Sequence, residues 1–179
     1  MNTNTKRILQ VLHILSWLFF AGVCIIWGAI LISFFFSLFI TPEGAKNLHN
    51  GLNLSGLLEY GKGYYSAMVI LLVLIWWLKS YLLFWLIRIF RKVNHLNPFT
   101  KEVADLIQIV SLTTLAIALL IFAANAYSNW LLKKGVELNN LKDYLHGGSE
   151  FLFMAGIVYF IAQVFKRGVE IQSENELTV

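Results

Sequence analysis

The sequence predicts an all-α fold: a bundle of four transmembrane helices with both termini in the cytoplasm. Three observations predict it. The 179 residues are 58% hydrophobic and only 13% charged, where a soluble domain carries about 25% charged residues. So large an apolar excess has no interior to fill, and its solvent must be lipid. The apolar residues gather into four runs, each long enough to cross a bilayer. Lys and Arg divide unevenly between the segments joining those runs, and the richer side is the cytoplasmic one. The chain is read as a single integral membrane domain, 1–179.

The first run covers about 8–40. Lys6 and Arg7 precede it as they would a signal peptide, but a signal core is about 7–15 residues long and ends at a small-residue cleavage site. Here the apolar run continues without one, so a retained helix is predicted. It could reach roughly 50 Å against a hydrocarbon core of ~30 Å, and must tilt or project. Thr41 and Pro42 end it.

The second run covers about 64–89 and the third about 103–132. Between them Asn97 and Pro98 read as a helix start, with Asn as the cap and Pro at the first helical position. Glu102 and Asp105 follow where the helix dipole favours negative charge. The fourth run, about 149–165, is near the lower limit for a span. Its helix is expected to continue through Lys166 and Arg167 into a short cytoplasmic tail, 166–179.

Lys6, Arg7, Arg88, Arg91, Lys92, Lys101, Lys166 and Arg167 lie on the side of the termini and the middle loop. Lys46, Lys62, Lys133, Lys134 and Lys142 lie opposite, mixed with Glu43, Glu59, Glu137 and Asp143. No basic run exceeds two adjacent residues, which argues against direct nucleic-acid binding.

Burial alone cannot drive helix association in lipid, so small residues must let the backbones approach. Ala29, Ser33 and Ser37 form such a face on the first span, Ala116, Ala123 and Ala124 on the third, and Ala155, Gly156 and Ala162 on the fourth. Tyr64, Tyr65, Tyr127 and Trp130 near one boundary, and Trp17 and Trp85 near the other, read as aromatic belts. The glycines at 61, 63, 147 and 148 read as turns.

Little in the chain suggests catalysis. The lone Cys24 cannot form an internal disulfide or a redox pair. His13, His49, His95 and His146 do not share a membrane depth that would hold a haem. Metal-ligand spacings and phosphate-binding glycine loops are missing from the sequence. No catalytic residue, metal or cofactor is therefore predicted. The sharpest anomaly is Lys79, in "IWWLKSYLLFW". A charge near mid-bilayer costs on the order of 3 kcal/mol and wants a carboxylate or a cavity. Glu150 is the nearest acidic candidate in the spans, with Ser80, Asn125 and Gln163 as polar neighbours. Snorkelling toward water is the other reading of Lys79.

The tail, "VFKRGVEIQSENELTV", mixes acidic and apolar residues. Together with "NPFT" in the middle loop and the four spans, it resembles a large bacterial family of small membrane proteins catalogued as a domain of unknown function. Members share an Asn-Pro-Phe turn and a C-terminal stretch like "F+xGxxLxxExxLTV". The matching residues are Asn97, Pro98 and Phe99, then Phe165, Arg167, Gly168, Glu174, Leu177, Thr178 and Val179. Ile171 stands where the family often has Leu. Such proteins are often encoded beside a small helix-turn-helix regulator, so the resemblance implies a bacterial inner-membrane location and a transcription factor as partner. It implies no enzymatic activity.

The expected function is accordingly non-enzymatic. A cytoplasmic surface formed by Asn97, Pro98, Phe99, Arg167, Gly168, Glu170, Glu174 and Asn175 binds a soluble partner, with the tail packed near the middle turn. The alternative is a small transporter or channel subunit that uses a polar site at Lys79 and Glu150. Membrane lipids surround the spans in either case, and a homo-oligomer is compatible with both.

Overall fold

The computed structural model describes residues 3–92 and 99–176. Among these the chain is all-helical apart from its connections, with one isolated antiparallel bridge between Asn53 and Asn139. The long helices are α1 (Thr3–Phe39), α3 (Lys62–Lys92), α4 (Lys101–Lys133) and α5 (Gly148–Glu176), with a short α2 (Ser55–Tyr60) before α3. Two single 3₁₀ turns, Pro42–Lys46 and Leu141–Tyr144, complete the order. The four long helices are long and apolar enough to cross a membrane.

The bundle is an open row. α1 packs on α3, α3 on α4 and α4 on α5, and the two outer helices do not close a ring. α4 is the central plank, burying Val103, Val110, Thr114, Ile117, Ile121 and Leu131. Its Ser111 hydroxyl donates 3.0 Å to the Ala155 carbonyl of α5, a bond between helices where lipid offers no competitor.

Small residues do bring backbones together, though not at every expected place. Ser33 and Ser37 of α1 receive Gly44, where an added Cβ would lie 3.1 Å from the Ser37 nitrogen and 3.2 Å from the Ser33 carbonyl oxygen. Only glycine lets the first 3₁₀ turn lie that close. Ala124, Ala155 and Ala162 are buried. Gly156 is not a packing residue: it is exposed, with open space where a side chain would point. Tyr65 also departs from expectation. It is fully buried, and its hydroxyl lies 2.6 Å from Ser37 Oγ, so it belongs to the core and not to a belt.

The connections opposite the termini form a packed cap. Leu48, Leu52, Leu54 and Leu57 from the first connection are buried in one cluster with Val136, Leu141, Tyr144 and Leu145 from the second. Asn140 Nδ2 donates 3.0 Å to the Gly51 carbonyl, and Tyr144 OH donates 2.7 Å to that of His49. Gly148, the first residue of α5, rests on Ile121 and Phe122 of α4. Helix α5 therefore begins roughly 18 Å short of the end of α4, at 1.5 Å per residue. Residues 134–147 fill the drop, held by Asn125 Nδ2 donating 2.9 Å to the Leu145 carbonyl.

Candidate functional site

The end of the molecule that carries the termini brings together two segments distant in sequence. Helix α4 starts at Lys101, and its cap is Thr100, whose hydroxyl accepts from the Val103 amide at 3.3 Å. The expected cap at Asn97 is thus replaced by a residue three positions later that bonds the first turn itself. Asn97 and Pro98 lie outside the described residues. Lys92, at the end of α3, reaches across to Glu102 at 2.8 Å and ties the two ends of the middle loop.

Phe99 points from this loop onto α5. Its ring lies 5.2 Å from that of Phe165 and fills the space over Gly168, where a Cβ would fall 2.5 Å from Cδ1. Beneath it, Val103 and Ile107 of α4 are buried with Ala162 of α5, and Ile89 packs against them. Phe99 is therefore seated on α5. Glycine at 168 is what permits the seat.

Beyond Gly168 the chain remains helical to Glu176. Residues 166–176 thus extend α5 by about 16 Å. Arg167 pairs with Glu170 at 2.7 Å, both well exposed, an interaction worth little by itself. Glu170 and Glu174 follow one turn apart, both exposed. Ile171 is 47% exposed beside them. Asn175 belongs to the last turn.

Lys79 and Glu150 are not brought into an ion pair: Glu150 is exposed in the first turn of α5. The Lys79 ammonium lies instead 4.2 Å from the centroid of Trp76 and 5.5 Å from that of Phe151. Two ring faces take the place of the carboxylate. Trp76 in turn meets Tyr144 of the cap edge-on at 6.1 Å, so Lys79 stands about one turn below the lowest part of the cap. Two of the three polar neighbours expected for it are engaged elsewhere, Ser80 with the Trp77 carbonyl and Asn125 with those of Ile121 and Leu145. Sequence reasoning missed both rings. The three-residue spacing of Trp76 and Lys79 is a usable signal, since such positions share a helix face; Phe151 lies on another helix and leaves none.

No curated protein and no solved structure matches the chain. A family model matches residues 23–179, which include α3, α4, α5 and the whole cap. The chain belongs to the family described as protein of unknown function DUF2975.

Proposed function

We propose that the chain is a non-enzymatic protein of the bacterial cytoplasmic membrane whose termini face the cytoplasm and whose cytoplasmic end binds a soluble regulator. The observation that carries this reading is the seating of Phe99 on Gly168. It brings Phe99 of the Asn-Pro-Phe stretch to the start of the α5 extension, and these are the two places where the sequence resembles its family. That extension presents Glu170, Glu174 and Ile171 on a helix that runs past the packed row. An acidic, partly apolar helix suits a basic partner helix, including the DNA-contacting face of a helix-turn-helix regulator. Docking there would compete with DNA and hold the regulator at the membrane. Pull-down from native membranes with and without residues 170–179 tests it: loss of the regulator from the truncated protein supports the reading, and full retention rejects it.

A second reading, a polar pathway at Lys79, has its own support. The ammonium lies over two rings, and the buried indole nitrogen of neighbouring Trp76 has no hydrogen-bond partner among the described residues. Transport of a small anion by reconstituted protein, abolished in Lys79→Met with folding intact, would favour this reading over docking.

A further inference from the structure

Exposed apolar side chains run along α1 from Val11 to Phe39, about 42 Å of helix against a hydrocarbon core of ~30 Å. On α5 they begin only at Leu152, and the exposed Lys142 and Asp143 precede that helix. The surplus on α1 falls at the cap end, because Gln10 and His13 are already level with Arg91 at the other.

The surplus stretch carries an open hollow on the face of α1. Leu31, Ile32, Phe34, Phe35, Phe36 and Phe39 line this hollow of about 520 Å³ without a polar group. Phe39 also borders a second pocket of about 380 Å³, whose charged lining is Glu43, Lys46, Glu59 and Lys62. Two carboxylates and two ammonium groups balance to zero, which suits a zwitterion better than an anion or a cation. The hydrogen bond from Lys46 to Glu43, and the charges of Glu43 and Glu59, hold the Lys46 pKa above its ordinary value, so all three groups share one field. The Lys46–Glu43 pair is exposed, and such a pair is readily exchanged for the charges of a ligand.

We propose that this end of the molecule binds an aminophospholipid, with its phosphoethanolamine headgroup among Glu43, Glu59, Lys46 and Lys62 and an acyl chain along the α1 hollow. The ammonium faces the carboxylates and the phosphate faces the lysines. Charge complementarity selects the headgroup, and the unbroken apolar path through Phe39 selects a ligand that carries a chain.

Native mass spectrometry of the full chain, released from nanodiscs of equal dioleoyl-phosphatidylethanolamine and dioleoyl-phosphatidylglycerol, tests this. The wild type should retain phosphatidylethanolamine in preference by about tenfold, a difference within reach of one or two charge-assisted contacts. Glu43→Gln with Glu59→Gln, both on exposed positions, should erase the preference, while Glu137→Gln on the other cap connection should leave it intact. Equal retention of the two lipids by the wild type overturns the proposal, as does an undiminished preference in the double variant. Displacement of the lipid by an equal concentration of soluble glycerophosphoethanolamine would assign the pocket to a free zwitterion and overturn it too. A lipid-free dimer that buries the α1 hollow would give the surface to a second copy instead.

Discussion

The ring of Phe99 occupies the space that a side chain at position 168 would need, its Cδ1 lying 2.5 Å from where a Cβ would be. Gly168→Ala must therefore displace the ring or the helix. We expect a loss of about 1–3 kcal/mol, the usual cost of overpacking. Phe99→Ala should cost less when introduced into Gly168→Ala than into the wild type. A double-mutant cycle on thermal stability in detergent measures the coupling; additive losses would mean that the two residues do not share a seat.

Ser37 and Tyr65 should respond unequally to losing their hydroxyls. Ser37 Oγ also bonds the Phe34 carbonyl at 2.7 Å, so Tyr65→Phe removes one hydrogen bond without stranding Ser37 and should cost about 0.5–1.5 kcal/mol. Ser37→Ala leaves the buried Tyr65 hydroxyl without this partner and should cost about 1–3 kcal/mol. Chemical denaturation of the two variants decides the order; a reversed order would mean that the Tyr65 hydroxyl does not depend on Ser37.

Lys79→Met should express and fold at least as well as the wild type. It removes a charge that costs on the order of 3 kcal/mol in a span and gives up cation–π contacts of about 0.5–2 kcal/mol. Because Glu150 is not its partner, Glu150→Gln should add to Lys79→Met within about 0.5 kcal/mol. Rescue of a misfolded Lys79→Met by Glu150→Gln would instead reveal a buried pair.

Orientation can be read with single cysteines in a Cys24→Ala background. Thr3→Cys and Glu176→Cys should be shielded from an impermeant thiol reagent in intact cells, and Lys142→Cys on the exposed face of the cap should be labelled. The opposite pattern would invert the molecule and end the case for cytoplasmic docking.

The helices were legible in the sequence because each rests on a long apolar run, a signal that survives ignorance of neighbours. The extension of α5 through Lys166 and Arg167 was legible for the opposite reason: the fourth apolar run is near the lower limit for a span, so its helix has to continue. The cap was not. Its buried Leu48, Leu52, Leu54 and Leu57 are scattered among Asn and Gly at no helical or strand period, and what unites them is a second connection about 85 residues later, a separation over which no local periodicity can act. Lys79 was legible as an anomaly, but its solution was not, since Phe151 reaches it only through the stagger of α5 against α4. Thr100 was passed over as a cap because Asn-Pro is the stronger local signal.

The row order of the long helices repeats their order in the chain, and this bears on how the protein is made. Each long helix meets its sequence neighbour, so α3 can settle on α1 and α4 on α3 as they leave the ribosome, without waiting for a later helix. The cap is the exception. Leu48 and Leu52 must wait for Val136 and Leu141 to be synthesised before their cluster can be sealed. Locking of the cap is then a late event in biogenesis, and until it happens the apolar side chains of the first connection stand uncovered, within reach of quality-control proteases.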